Sequence, residues 1–204
     1  MVRAFPRSPA PPARDELWTL PNILSLLRIA AVPFFLWAMI GRQPLAALIL
    51  FAAAGLTDFL DGLAARSLGL RSALGALLDP AADKILMTAA TVACSLPSLS
   101  QPNVLPLALV ILVIGRDLAI ALGALALRRL ASRKSFRPSL WGKISTVLQM
   151  SCLTLVLFFN ALGIRPAAFL AVLYILTFAA TLISGGHYFW RDFLGRLGRQ
   201  KKKA

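Results

Sequence analysis

Six long apolar stretches constrain this chain more than any other feature of its sequence. A helix needs about 20 mostly apolar residues to cross a hydrocarbon core about 30 Å thick. The stretches that are long enough are 22–40, 44–65, 75–96, 104–128, 139–160 and 166–190. The alternating pattern of a transmembrane barrel is not found in the sequence. We therefore expect an all-α integral membrane protein, a bundle of six transmembrane helices.

Composition and charge support the same class. The chain is 58% hydrophobic and 15% charged, whereas soluble domains are about 45–50% apolar and about 25% charged. Such a hydrophobic chain is not disordered. Its net charge of +14 would suit nucleic acid, but a nucleic-acid domain does not need so much Leu and Ala, so we expect no nucleic-acid partner. The bases are better suited to binding anionic membrane lipids.

The basic residues also predict an orientation. Apart from Arg42 and Arg165, the Lys and Arg residues of the loops and termini fall on one side of the six stretches. The positive-inside rule places that side, with both termini, in the cytoplasm, and we expect a bacterial inner (plasma) membrane. The predicted organisation is a Pro- and Arg-rich arm, a transmembrane domain and a basic tail, at residues 1–15, 16–192 and 193–204.

Acidic residues are rare, and most of them lie in or beside the apolar stretches. Asp15, Glu16 and Asp192 lie in polar flanks, where solvation explains them. The other five are Asp58, Asp61, Asp79, Asp83 and Asp117. A charge at membrane depth costs at least about 2.5–3.5 kcal/mol, so each such residue suggests a function.

Four of these acids form one group. Asp58 and Asp61 are three residues apart and Asp79 and Asp83 are four apart, so each pair shares a helix face. A short link joins the two predicted helices, which makes them antiparallel neighbours with all four carboxylates near one gap. Four like charges need a counter-charge, and Mg²⁺, or Mn²⁺, supplies it through oxygen ligands beside a phosphate.

Small and basic residues lie beside the carboxylates. Gly62 and Gly75 allow a ligand to approach the backbone closely, and Ala65 keeps the same face shallow. Arg66 offers a forked donor for phosphate oxygens. Together these residues predict a diphosphate site that opens to the cytoplasm and is reachable by lipid.

Two other interpretations compete with a metal site. The acids could form structural ion pairs with the intramembrane cations Arg28, Lys84 and Arg116, and Arg116 beside Asp117 fits that interpretation. A transporter also carries intramembrane acids, but it predicts repeat symmetry and broken helices near the midplane, and we find no repeat. Cys94 and Cys152 are expected to be packing residues without a disulfide, and His187 to be interfacial.

The stretch from Asp58 to Asp83 reads D-x2-D-G-x2-A-R-x8-G-x3-D-x3-D. It resembles the signature of the CDP-alcohol phosphotransferase (CDP-alcohol phosphatidyltransferase) family at every fixed position, and the likeness extends from about Pro21 to about Arg191. The resemblance implies a bundle of six transmembrane helices, usually a homodimer, that moves a substituted phosphate from a CDP-linked donor to an alcohol and releases CMP.

The resemblance also implies residue roles. Asp58, Asp61, Asp79 and Asp83 would bind the divalent metal, with Asp83 also the general base. Asp61, Gly62, Ala65, Arg66 and Gly75 would line the CDP pocket. The phosphate of the acceptor would meet the cations Arg116, Lys143 and Arg137, although Lys143 and Arg137 also fit the interpretation of plain positive-inside anchors.

The donor implied is CDP-diacylglycerol, and the acceptor alcohol stays open. The stretches Leu20–Ile29, Gly115–Asp117 and Arg137–Gln149 are similar to both phosphatidylglycerophosphate synthases and cardiolipin synthases of this family. Asp117, Pro138–Ser139 and the closing stretch Ser184–Arg191 favour the cardiolipin type, whereas Gly142–Lys143 favours the glycerophosphate type. The acceptor is thus glycerol 3-phosphate or phosphatidylglycerol, with inositol phosphate or serine as a further alternative.

Overall fold

The computed structural model describes the backbone of residues 20–68, 75–130, 140–188 and 190. It describes the side chains of residues 23–57, 78, 80–123, 140–188 and 190. The predicted arm at 1–15, the predicted tail at 193–204 and Arg137 lie outside these ranges.

The described backbone forms six α-helices and no β-strand. They are α1 (Leu20–Ile40), α2 (Pro44–Leu68), α3 (Gly75–Ser95), α4 (Leu107–Leu130), α5 (Leu140–Ala161) and α6 (Ala167–Tyr188). Each begins and ends within one helical turn of an apolar stretch predicted from the sequence, so the all-α prediction is confirmed for this part of the chain.

Three helices are apolar and long enough to cross a membrane, judged over the described residues: α1 over Ile23–Ile40, α5 and α6. The apolar part of α2 that qualifies ends at Thr57 and is shorter. Helices α3 and α4 carry charged residues within their length, at Asp83–Lys84 and at Arg116–Asp117. A membrane protein is therefore supported, while six spans remain a prediction.

The helices close into a ring. Helix α1 packs against α2 and α3, α2 packs against α5, α5 against α6, and α6 against α4. Contacts of α3 with α4 close the ring, and α3 also contacts α5 across it. Phe35 of α1 and Phe51 of α2 are buried with ring centroids 6.1 Å apart. This order places the beginning of α3, which carries Asp83, against α4, which carries Asp117.

Three connections meet at one end of the bundle, which we call the loop end (residues 41–43, 96–106 and 162–166). Asn160 of α5 organises it. Its Oδ1 accepts hydrogen bonds from the backbone N and the Nδ2 of Asn103, at 2.8 and 2.9 Å. Its Nδ2 donates to Ser100 Oγ at 2.9 Å and to the carbonyl of Asn103 at 3.0 Å. Asn103 Nδ2 also reaches the carbonyl of Ile164 at 2.8 Å.

The turn from α5 to α6 shows why a glycine stands there. Gly163 has φ 66°, in the left-handed region that glycine adopts without a steric penalty. The N–H of Ile164 then donates to the carbonyl of Phe159 at 3.0 Å, which ends α5. The two bases predicted to lie opposite the basic side, Arg42 and Arg165, both belong to the loop end.

Candidate active site

The four clustered aspartates lie on the two helices that the sequence predicts for them. Asp58 and Asp61 are on α2, and Asp79 and Asp83 are on α3. Leu68 and Gly75 end and begin these helices, so the six residues between them hold the two helix ends within about 25 Å of each other. Helices α2 and α3 also contact each other directly, so the backbone brings the two acidic pairs to one end of the bundle.

Asp83 is the member of this group whose side chain is described, and it is half-buried. The side chains of Asp58, Asp61 and Asp79 lie outside the described set, as do those of Gly62, Ala65, Arg66 and Gly75. Among the side chains that are described, no three His, Cys, Asp or Glu residues come together as a metal group. Three of the four clustered aspartates lie outside these described side chains, so the four-aspartate site stays a prediction.

A second charged group lies directly beside Asp83, and Asp117 is its centre. Lys84 of α3 binds Asp117 Oδ2 through Nζ at 2.7 Å. Arg116 of α4 binds Asp117 Oδ1 through Nη1, also at 2.7 Å. The Asp117 carboxylate is 16% exposed, so these charge-assisted bonds offset much of its desolvation.

The contacts of Asp117 support part of the structural ion-pair hypothesis. Arg116 does pair with Asp117, as that hypothesis expects. Lys84, a second candidate cation, pairs with the same carboxylate. In the described part of the chain, the acid that these two cations contact is therefore Asp117, which is not a member of the four-aspartate group.

The guanidinium of Arg116 is fixed by α6 as well as by α4. Its Nη2 donates to Ser184 Oγ at 2.7 Å. A Cβ placed on Gly185 would lie 3.6 Å from Arg116 Cγ, so the Arg116 side chain lies along this part of α6. The side chain is 8% exposed, and its Nε is buried with no hydrogen-bond partner in the described structure. Buried N–H donors in folded proteins usually have a partner, so this Nε–H stands out.

The other two acceptor candidates are not shown beside Arg116. Lys143 lies in the first turn of α5 and is exposed, and Arg137 lies outside the described residues. His187 is half-buried in the last turn of α6, and its Nδ1 makes no hydrogen bond with the described part of the chain. Cys94 and Cys152 are buried free thiols, as predicted.

A polar stripe on α6 was not predicted from the sequence. Thr177, Thr181 and Ser184 are all buried and recur at helical spacing. Thr181 Oγ1 lies 3.1 Å from both Ser145 Oγ and Gln149 Nε2 of α5. The spacing of small polar residues in an otherwise apolar helix was the available signal, because polar side chains in membrane helices face other helices.

The described structure is helical, with three helices long and apolar enough to cross a membrane and the aspartate pattern on α2 and α3, and comparison with known proteins gives the family. The family model for CDP-alcohol phosphatidyltransferase matches residues 18–183. The chain belongs to the CDP-alcohol phosphatidyltransferase family, which makes it a member of an enzyme family rather than of a transporter family.

Named relatives carry two activities. The chain is 33% identical to the CDP-diacylglycerol–glycerol-3-phosphate 3-phosphatidyltransferase of Bacillus subtilis, over 87% of this chain and 96% of that protein. It is 31% identical to the cardiolipin synthase (CMP-forming) of Homo sapiens, over 88% of this chain and 63% of that protein. A Schizosaccharomyces pombe cardiolipin synthase (CMP-forming) / mitochondrial hydrolase fusion protein is 32% identical over 93% of this chain and 34% of its own length.

The alignments with the two cardiolipin synthases therefore cover less than two thirds of those longer proteins. The alignment with the bacterial phosphatidyltransferase covers nearly the whole of it.

Proposed function

We propose that this protein transfers the phosphatidyl group of CDP-diacylglycerol to a hydroxyl of an anionic glycerol acceptor and releases CMP. The acceptor is glycerol 3-phosphate or phosphatidylglycerol, the alternatives that the relatives' names also represent. The observation that carries the proposal is the complete pattern from Asp58 to Asp83, which lies on two joined helices in a chain of this family.

The reaction joins the acceptor oxygen to the phosphatidyl phosphorus and breaks the bond from that phosphorus to the CMP oxygen. The CMP oxygen leaves with the electron pair. Asp83 takes the proton from the acceptor hydroxyl, a role that suits a half-buried carboxylate within reach of a bound substrate. Asp61, Gly62, Ala65, Arg66 and Gly75 hold the CDP moiety.

The acceptor phosphate is bound by cations beyond the aspartates. Arg116 offers its buried Nε–H, while its two terminal nitrogens are held by Asp117 and Ser184. Lys143 and Arg137 are the other proposed ligands. A guanidinium held by two partners binds a phosphate with little further ordering, which lowers the entropic cost of binding.

Asp58, Asp61, Asp79 and Asp83 would hold Mg²⁺ or Mn²⁺, and a set of carboxylate oxygens fits such hard cations. The ion would supply neutralisation of the charge that develops on the transferred phosphate. Four carboxylates near one gap carry like charges, so an added divalent cation is the arrangement that we favour.

Metal removal tests this part of the proposal. EDTA is expected to abolish CMP release by the purified protein, and added Mg²⁺ or Mn²⁺ to restore it, because four carboxylates cannot stay charged together without the cation. A matched sample with EDTA presaturated by Ca²⁺ controls for chelator effects on the detergent. Full turnover in excess EDTA would remove the metal site from the proposal.

We further propose that all six helices span the inner membrane of a bacterium, with both termini and the four-aspartate end in the cytoplasm, and that the protein is a homodimer. The support is the length of α2, α3 and α4, 25, 21 and 24 residues, because about 20 residues suffice for a span. The positive-inside rule gives the orientation.

The identity of the product lipid shows which acceptor the protein uses. Purified protein is incubated with CDP-diacylglycerol and either glycerol 3-phosphate or phosphatidylglycerol, and the lipids are separated by thin-layer chromatography. We expect phosphatidylglycerophosphate or cardiolipin together with equimolar CMP. Asp83→Asn should lower turnover at least about 100-fold, the contribution expected of a general base, and Asp15→Asn should leave it unchanged. No CMP with either acceptor would contradict the proposal.

A further inference from the structure

A small cavity lies in the core of the bundle, where four helices meet. It encloses about 10 Å³, which is room for a single water molecule. Its lining comes from α3, α4, α5 and α6 and from Leu105 just before α4, and every lining residue is buried. The polar members are Thr91 of α3, Gln149 and Cys152 of α5 and Thr177 of α6. A cavity of this size with several polar groups suits water, whereas purely apolar cavities stay dry.

The hydrogen bonds of Gln149 fix the orientation of its side-chain amide. Thr181 Oγ1 donates its proton to the carbonyl of Thr177 at 2.7 Å, so Ser145 Oγ, 3.1 Å from Thr181 Oγ1, donates to Thr181. Both hydroxyl oxygens then accept from Gln149 Nε2, each at 3.1 Å.

The amide oxygen of Gln149 therefore points away from Ser145 and Thr181. Those two residues do not line the cavity, whereas Gln149 does, so Oε1 is the atom that faces it. Gln149 is 3% exposed, and its Oε1 is buried with no hydrogen-bond partner within the described part of the chain. A buried carbonyl without a partner costs free energy, so a donor is needed at this position.

Two threonines add further acceptors to the lining. The hydroxyl of Thr91 donates to the carbonyl of Met87 at 2.7 Å, and that of Thr177 to the carbonyl of Leu173 at 2.8 Å. Because their protons are used, both Oγ1 atoms present lone pairs to other donors. A ligand that bridges Gln149 and either threonine must therefore donate two hydrogen bonds.

We propose that the cavity holds one water molecule, which donates one hydrogen bond to Gln149 Oε1 and the other to the hydroxyl oxygen of Thr91 or Thr177. The thiol of Cys152 is a weak donor to the water oxygen. Buried waters typically make about three hydrogen bonds to groups that otherwise lack partners. The water joins α5 to a neighbouring helix, and the site is independent of the proposed reaction.

A cation such as Na⁺ is the competing occupant, because carbonyl and hydroxyl oxygens also ligate cations. No carboxylate is among the described residues that line the cavity. An ion there would be a buried charge without a counter-charge, which is far more costly than a neutral water that is fully hydrogen-bonded. The chemistry of the lining therefore favours water.

A crystal structure of the full-length protein that resolves ordered water is the direct test. We expect a density peak about 2.8 Å from Gln149 Oε1, the distance of an O–H···O hydrogen bond. An empty cavity in such a map would overturn the inference. A Tm that rises when NaCl replaces choline chloride in the original protein, but not in Gln149→Leu, would also overturn it by identifying the occupant as a cation.

A filled cavity tests the same inference through the sign of a stability change. Val113→Ile adds a methyl group to the lining. It is expected to displace the water, leave Gln149 Oε1 without a partner and lower the Tm in detergent micelles by at least about 2 °C. In a Gln149→Leu background the same substitution fills a dry space, so the Tm should stay unchanged or rise.

Val110→Ile is the matched control, because Val110 is buried on the same helix and does not line the cavity. Its effect on the Tm should be the same in both backgrounds. A rise in Tm for Val113→Ile in the original protein would show a dry cavity and overturn the inference. An equal fall in both backgrounds would show strain from the added methyl group and would overturn it as well.

Discussion

Asp117 shows how one residue can connect two helices beside Asp83, the proposed general base. Its two carboxylate oxygens bind cations on different helices, Lys84 of α3 and Arg116 of α4, each at 2.7 Å. A partly buried carboxylate is stable when both oxygens have charged donors, and removing one partner of such a group is costly. The position of α3, and hence of Asp83, is thereby tied to the guanidinium that we propose for the acceptor phosphate.

Ser184 provides a residue-scale prediction. Ser184→Ala removes the oxygen that receives Nη2 of Arg116, and a hydrogen bond to a charged group contributes about 1.5–3 kcal/mol. We expect the KM for the acceptor to rise about tenfold, equivalent to about 1.4 kcal/mol, with the KM for CDP-diacylglycerol within about twofold of its original value.

The matched control for Ser184 lies on the same helix. The hydroxyl of Thr177 donates to the carbonyl of Leu173 at 2.8 Å, so Thr177→Val removes a buried hydroxyl that is not bonded to Arg116. It should leave the KM values for both substrates unchanged. An equal rise in both KM values for Ser184→Ala would show a general structural role instead of one directed at the acceptor.

At the scale of elements, the helices and the contact between α2 and α3 could be predicted, whereas the rest of the packing order could not. Each helix agrees with its predicted stretch to within a turn, because the length and apolarity of a span are local properties of the chain. The ring order places α1 between α2 and α3, and α6 against α4. Lipid is as apolar as the helix surfaces, so the apolar residues of a span do not indicate which other helix it meets.

Asn160 provides a prediction at the scale of elements, because its hydrogen bonds hold the connection from α3 to α4 against α5. Asn160→Leu keeps the side-chain size but removes all four hydrogen bonds to Ser100 and Asn103. Buried groups left without partners cost about 1–3 kcal/mol each, so we expect a loss of about 3 kcal/mol in unfolding free energy. Denaturant unfolding in detergent micelles measures it.

Gln101 supplies the comparison within the same connection. It is exposed and donates to the carbonyl of Pro97, so Gln101→Leu should change the unfolding free energy by no more than about 0.5 kcal/mol. Because the loop end lies away from the aspartates, turnover per folded molecule should be unchanged in both variants. A stable Asn160→Leu protein would mean that this polar network does not fasten the loop end.

At the scale of the whole molecule, the bundle has two chemically different ends. The loop end holds Arg42 and Arg165 with the amide network of Asn103 and Asn160. The opposite end receives the C-terminus of α2 and the N-terminus of α3, with the four aspartates. This difference gives the proposed orientation a physical meaning, since the CDP headgroup of the proposed donor and the CMP product would then lie at the cytoplasmic face.

Cysteine labelling tests that orientation. In a background with Cys94→Ala and Cys152→Ala, Arg42→Cys is exposed at the loop end. A membrane-impermeant maleimide added to intact cells should label it, whereas Lys143→Cys, exposed at the start of α5, should react only after the cells are opened. The reverse pattern would invert the proposed topology by the same positive-inside argument.

The sequence by itself determined the helical class, the bounds of the helices and the aspartate pattern that shows the family. The helical class and the helix bounds depend on spacing within single stretches. The pattern from Asp58 to Asp83 is also local, because it lies on two consecutive helices. Only the tertiary structure decided which polar and charged side chains meet across helices. Lys84 and Asp117 are 33 positions apart, and Arg116 and Ser184 are 68 apart. Such pairs depend on which helices adjoin, and between apolar helices in lipid that choice follows from side-chain packing and hydrogen bonds formed only in the assembled bundle.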